Sequence, residues 1–201
     1  MSLEFIRGYL AELDATLRAL PQGQVADIID AIRDVRDRDA QLFVIGNGGS
    51  AATASHFAVD LGKGASIGAE RRFRVLSLTD NVPWITALGN DLSYEDVFVE
   101  QLKNFARPGD LLVAFSGSGN SENVLRAVRY ANSIGCRTIG LAGYAGGRLR
   151  EEAQECLVVN ADHMGRIEDG HFVIQHLIVY YFMSTLHAET AAATSEAVAP
   201  G

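Results

Sequence analysis

The sequence predicts an α/β fold: a five-stranded, mainly parallel sheet covered by helices, preceded by a pair of N-terminal helices. Three observations carry this reading. Short apolar, β-prone segments at 42–45, 73–78, 111–115, 138–141 and 157–159 alternate with helical or glycine-rich stretches, as repeated strand–helix units do. The first and third of them run directly into Gly46-Asn47-Gly48-Gly49-Ser50 and Ser116-Gly117-Ser118-Gly119-Asn120-Ser121, the junction expected where a buried parallel strand passes into a helix N-terminus. The first forty residues instead show purely helical spacing.

Leu3, Ile6, Leu10, Leu13, Leu17 and Leu20 recur at intervals of 3, 4, 3, 4 and 3, the seam of a helix that packs against other helices, and Pro21 ends it. Val25, Ile28, Ile29, Ile32 and Val35 mark a second amphipathic helix, closed by the charged turn 36–39. Beyond the first strand, helices are expected near 50–61, 83–89, 95–105, 121–134 and 147–153. A long final helix is expected from about 166 to near 190, with Gly170 inside it at a cost of about 1 kcal/mol relative to alanine. The Ala-, Thr- and Ser-rich end is expected to fray. The chain thus divides into helices at 1–40, an α/β domain at 41–190 and a disordered tail at 191–201, with no repeat and no linker.

At 201 residues, with 48% hydrophobic and 21% charged side chains, the chain has the size and composition of one soluble domain. A net charge of −8 with 17 scattered Lys and Arg argues against a nucleic-acid partner. An anionic ligand would have to be held by backbone amides and hydroxyls. Cys136 and Cys156 lie twenty apart without a CxxC pattern and each opens a strand-like segment, so both are expected as buried, reduced thiols in the cytoplasm. Residues 1–20 carry Glu4, Arg7, Glu12, Asp14 and Arg18, which no secretory leader would. The most apolar stretch, 172–183, contains Gln175 and His176 and is too short to span a bilayer; it is read as a core helix, and no membrane partner is expected.

The serine-rich turn offers three hydroxyls and free amides at a helix start, a phosphate cradle needing no cation. One such turn is as well explained by an N-cap. Two, after two parallel strands, favour a ligand cleft at the carboxyl edge of one sheet. Neither turn is a GxGxxG fingerprint and no P-loop lysine follows, so a dinucleotide or ATP is not expected.

His56 and Asp60 stand four apart, on one helical face behind the first turn. Glu168 and His176, eight apart, share a face of the final helix two turns from each other, with His171 and Gln175 nearby. Singly, such a histidine reads as a core residue; together, two histidines and two carboxylates suffice for acid–base catalysis or for a Zn²⁺ site open to substrate. Asn90-Asp91 alone reads as a helix C-cap and turn. His163 and His187 have no evident partners.

These motifs resemble the sedoheptulose-7-phosphate (phosphoheptose) isomerases of the SIS sugar-isomerase family. The match runs from Leu3 to about Met183 and rests on GNGGSAA at 46–52 with His56-Phe57 and Asp60-Leu61, on GND at 89–91 with Val97-Phe98 and Gln101-Leu102, on the turn 116–121 with Val124, and on Arg166-Ile167 with His171 and His176. The resemblance implies a flavodoxin-like, three-layer SIS domain assembled as a homotetramer, and interconversion of a phosphorylated ketoheptose and aldoheptose. It implies that Ser116, Gly117, Ser118 and Ser121 hold the phosphate. Asn47, Gly48, Gly49, Ser50, Asn90, Asp91 and Glu168 would line the sugar. Asp60 and His176 would be catalytic, and His56, Asp60, Glu168 and His176 would bind one Zn²⁺ per subunit.

The chain departs from the family pattern at four places: Asp60 stands for Glu, Glu168 for Gln, Gly165 for an acidic residue, and Lys63 near an expected Arg. Asp60 reaches one methylene less far, so proton transfer needs a closer approach. Glu168 would bring the four ligands to −2 with neutral imidazoles, matching a divalent cation. Two alternatives stand beside this reading: isomerisation of a different sugar phosphate, and the role of related non-catalytic tetramers that bind the bacterial replication initiator protein. A sugar-phosphate-sensing regulator lacks any DNA-reading segment here.

Overall fold

The computed structural model describes residues 1–198, with side chains through residue 186; expectations for residues 199–201 and for the His187 side chain lie outside the described residues. Two helices, α1 (Ser2–Arg18) and α2 (Gln22–Asp37), precede β1 (Gln41–Ile45). There follow α3 (Gly49–Val59), β2 (Arg74–Ser77), α4 (Val82–Asp91), α5 (Val99–Phe105), β3 (Leu111–Ser116), α6 (Glu122–Ser133), β4 (Arg137–Gly143), α7 (Leu149–Glu152), β5 (Glu155–Val159) and α8 (Met164–Val198). All five expected strands form.

The strands hydrogen-bond in the order β2-β1-β3-β4-β5 and every pairing is parallel, so "mainly parallel" becomes wholly parallel. β1 shows why its sequence is continuously apolar. Leu42 and Val44 join the core shared with α2, α3 and α8, while Phe43 and Ile45 join the core shared with α5 and α6. Successive side chains point to opposite faces and both faces are covered, which makes three layers. The chain crosses from one side of β1 to the other between β2 and β3, so the turns after β1 and β3 lie side by side at the switch point of the sheet, where α/β proteins bind ligands.

Several details depart from expectation. The region 95–105 is split into a 3₁₀ turn, Tyr94–Asp96, and α5. α3 gives way at Asp60 to a π-helical turn, Asp60–Gly64, a helix variant that concentrates at functional sites. The fully buried Ser66 accepts the amide of Phe73 (3.0 Å) and donates to the Leu61 carbonyl (2.7 Å), fixing how that turn ends. α8 does not stop near residue 190 but continues to Val198; no Gly or Pro intervenes before Pro200, and Ala191, Ala192 and Ala193 favour helix.

α2 buries Val25, Ile28, Ala31, Ile32 and Val35, as its spacing requires, whereas α1 buries nothing. Its seam residues Leu3 (58% exposed) and Leu10 (57%) lie open on the single chain. Both cysteines are free; Cys136 is buried and Cys156 half-buried, and burial pushes each thiol up to about 11, which makes them inert. No described helix is long and apolar enough to cross a membrane.

Candidate active site

The cleft at the switch point is built from backbone geometry. Gly48, the N-cap of α3, stands at φ +55°, ψ −120°, and the turn after β3 needs Gly119 at φ +66°, where a Cβ would overlap the Gly146 carbonyl. Only glycine tolerates both demands. The serine turn is braced from behind: Gly143 N–H donates to the Gly117 carbonyl (3.0 Å) and Leu149 N–H to the Gly119 carbonyl (2.8 Å). The Ser116 hydroxyl accepts the Gly119 amide (3.2 Å) and the Ser118 hydroxyl the Asn120 amide (3.2 Å), while the Ser121 side chain makes no capping bond to α6.

Asn47, Gly48, Gly49, Ser50, Ser116, Gly117, Ser118, Ser121 and Glu168 therefore line one cleft of about 260 Å³, closed by Phe115 and Met164. Two helix N-termini, those of α3 and α6, face it. The Glu168 carboxylate lies so close over Gly49 that a Cβ there would overlap it. A carboxylate at the start of α3 already satisfies that helix's positive end, so the serine turn at the start of α6 is the one open to a second anion.

Two turns further along α3 lies a separate cluster. His56 Nε2 stands 3.0 Å from Asp60 Oδ2 and His176 Nε2 4.0 Å from the same oxygen. The imidazoles pack edge to face at 5.2 Å, with Phe172 against both at 4.9 and 4.6 Å. One ligand atom from each of His56, Asp60 and His176 lies within 4.8 Å of the others. This set, two imidazoles and a carboxylate, suits a divalent metal with an open position. All three side chains are half-buried, and His176 also lines an open apolar groove of about 610 Å³ along α8. Its lining, Val173, Leu177, Tyr180, Tyr181 and Ser184 beside His176, lacks the converging polar groups of a sugar site.

Two sets of expected site residues sit elsewhere in the single chain. Glu168 is not part of the histidine cluster: α3 and α8 pack side by side, Gly49 next to Glu168 and His56 next to His176, so the two turns between residues 168 and 176 separate them by about 12 Å. It lines the anion cleft instead. Asn90 and Asp91 end α4 on the exposed surface, Asn90 Nδ2 donating to Asp91 Oδ1 at 2.8 Å, and do not line the cleft. Lys63 is exposed on the π-helical turn, and Gly165 faces His163 and Tyr9.

The SIS-domain model matches residues 8–143. The chain belongs to the SIS-domain family. Among SIS relatives, a phosphoheptose isomerase of Geotalea daltonii is 37% identical over 155 residues, 77% of this chain and 80% of that one. A phosphoheptose isomerase of Akkermansia muciniphila is 35% identical over 181 residues, 87% of this chain and 93% of its own. The structure of phosphoheptose isomerase GmhA from Neisseria gonorrhoeae superposes with a TM-score of 0.82 at 28% identity, covering 92% of this chain and all of that one.

Sequence reasoning missed several residues of this SIS domain. Asn123 and Tyr94 hold Asn47; nothing in their spacing announces it, because the contacts cross from one turn to another. Tyr9, which donates to Asp169 at 2.7 Å and packs on His163 at 6.1 Å, ties α1 to the first turns of α8. His171 is buried, with Nε2 at 3.1 Å from the Ala142 carbonyl; burial pushes its pKa down to about 4, so it is a neutral core residue.

Proposed function

We propose that this protein is a phosphoheptose isomerase, interconverting sedoheptulose 7-phosphate and the corresponding aldoheptose 7-phosphate in the cytoplasm. The observation that carries the reading is one chain holding both an anion cleft with a free serine turn and, farther along the same helix, a carboxylate between two imidazoles. Ser116, Ser118 and Ser121 with the first amides of α6 bind the phosphate, and Asn47, Gly48, Gly49 and Ser50 line the sugar beside Glu168.

The separation supports a long sugar. From Ser50 to His56 α3 rises about 9 Å. An extended backbone advances about 1.2 Å per bond; at that rate the eight bonds from C1 to the phosphorus of a heptose 7-phosphate span about 10 Å. A heptose phosphate laid along α3 from the cleft matches that rise, whereas a triose phosphate is shorter by four bonds.

Isomerisation moves one proton between C1 and C2 and another between the two oxygens through an enediol. Asp60, 3.0 Å from His56, takes the carbon-bound proton and returns it to the neighbouring carbon. His176 exchanges the oxygen-bound proton as the partner acid or base. Phe172 packs edge to face on both imidazoles. As the alternative to that proton transfer, His56, Asp60 and His176 fit a divalent cation, most simply Zn²⁺, which when bound would instead polarise the carbonyl and adjacent hydroxyl. The half-open cluster and the uncovered seam of α1 are completed in a homotetramer. The departures at Asp60 and Glu168 leave the same acid–base groups in place, and a non-catalytic scaffold would have no use for them.

Incubation in D₂O with five-, six- and seven-carbon ketose phosphates tests this directly. Deuterium at C2 of an aldose product, fastest with the seven-carbon substrate, is expected. Absence of exchange with every phosphate would refute the assignment.

A further inference from the structure

Asn47 is held by a closed hydrogen-bond circuit that joins both ligand turns. Its Nδ2 donates to Asn123 Oδ1 (2.9 Å) and its Oδ1 accepts from Asn123 Nδ2 (2.8 Å), a reciprocal amide pair between the turn after β1 and the second residue of α6. Asn123 is 3% exposed. Its orientation is set from outside the pair: the Val124 backbone N–H, which can only donate, reaches Asn123 Oδ1 at 2.9 Å, so that atom is an oxygen and its partner on Asn47 is a nitrogen. Tyr94 completes the circuit by donating its hydroxyl to Asn47 Oδ1 at 3.0 Å. The 3₁₀ turn carrying Tyr94 is pinned to α6 in turn, since Arg126 pairs with Asp96 at 2.7 Å and with Glu95.

Both acceptor positions of Asn47 are therefore filled, as is one of its two amide hydrogens. The remaining Nδ2 hydrogen has no acceptor among the described residues, and Asn47 lines the cleft. We infer that Asn123 and Tyr94 are positioning residues that make Asn47 a donor-only contact, so that it recognises an oxygen lone pair on the sugar chain and rejects a bare donor. The inference rests on the isomerase reading for its ligand, though not for the circuit itself. An amide free to flip would present either edge and discriminate little; a locked one selects.

Two variants test it: Y94F, a surface change that removes one bond, and N123A, which removes the reciprocal pair. The readouts are side-chain amide hydrogen exchange of Asn47 by NMR, affinity for inorganic phosphate, and steady-state kinetics with a ketose phosphate. Slow exchange in the wild type, accelerated in both variants, is expected. The KM should rise about tenfold in N123A, the equivalent of one lost hydrogen bond, and less in Y94F, with kcat changed far less and phosphate affinity unaltered. Asn47 exchange as fast as a free amide in the wild type, or variant KM values equal to wild type, would overturn the proposal. A wild type that neither binds phosphate nor turns over would instead defeat the isomerase reading, and the exchange rates would still decide the circuit.

Discussion

Glu168 lays its carboxylate over Gly49, the first residue of α3, so a negative charge stands inside the cleft that also holds the serine turn. A phosphate dianion bound there meets that charge across a few ångströms of partly dehydrated space, where Coulomb repulsion exceeds its value in water. Glu168→Gln keeps the shape and removes the charge. Its affinity for inorganic phosphate should exceed the wild type's severalfold at low salt, with the gap closing at high salt as screening takes over. Equal affinities at low salt would place the phosphate elsewhere.

The serine turn makes the complementary prediction. Ser118 and Ser121 line the cleft, and the Ser121 hydroxyl makes no capping bond within the protein, so their donors are available to a ligand. Hydrogen bonds to a charged group contribute about 1.5–3 kcal/mol each, so Ser118→Ala with Ser121→Ala should raise the KM for a phosphorylated sugar well over tenfold. An unphosphorylated ketose, turned over slowly if at all, should be indifferent to the change. Steady-state kinetics with both substrates decides it.

The parts legible in the sequence were those governed by local rules. The strand at 42–45 could be read because both of its faces are buried, which forces an unbroken apolar run, and the glycine turns because Gly48 and Gly119 occupy backbone angles that other residues avoid. His56 and Asp60 share one helix, so spacing alone placed them together at 3.0 Å. Contacts between elements were not legible. Helical spacing put Glu168 and His176 on one face but could not show that α3 and α8 run side by side, with Glu168 beside Gly49 and His176 beside His56. The amide pair of Asn47 and Asn123 joins residues 76 apart, beyond any periodicity.

The uncovered seam of α1 predicts how the chain assembles. Leu10 is 57% exposed and no residue of α1 is buried, so charge placed on this face costs the isolated fold little while disrupting an interface built on it. The proposed assembly gives the wild type the mass of four chains in light scattering, and Leu10→Glu with Leu13→Glu should lower that mass while leaving the circular dichroism spectrum intact; a wild type that is already monomeric would sink the proposal. An unchanged mass would mean that the seam is not the interface.

His171 predicts an acid-sensitive stability. Burial holds its native pKa down at about 4, whereas in the unfolded chain it titrates near 6.5, so between these values the unfolded state binds a proton that the native state refuses. Native stability therefore falls as pH drops through this window, by roughly 1.4 kcal/mol per unit from this group, and this contribution is fully present above about 6.5. His171→Leu leaves the Ala142 carbonyl without its partner, a penalty that does not vary with pH. Urea unfolding at pH 7 and pH 5 should show the wild type losing about 2 kcal/mol more than the variant across that interval. Equal losses would mean that the native imidazole is protonated with little penalty.

The last prediction concerns metal, where the structure alters what the donor residues alone suggest. Two histidines and two carboxylates invite a four-residue site, yet the ligand atoms that converge are those of His56, Asp60 and His176. Their separations of 3.0 and 4.0 Å bracket the edge of about 3.3 Å expected for a tetrahedron with bonds of about 2.0 Å. A cation there needs only small side-chain adjustments. Glu168→Ala should therefore retain near-stoichiometric Zn²⁺ in protein purified without chelator, while His56→Ala, Asp60→Asn and His176→Ala each lose it, as elemental analysis would read. Loss of metal in Glu168→Ala would instead show that the assembled protein brings this carboxylate to the cluster. If the metal also serves the chemistry, excess chelator should abolish turnover and added Zn²⁺ restore it. Full activity in a demonstrably metal-free protein would leave Asp60 and His176 as an acid–base pair that works without a cation.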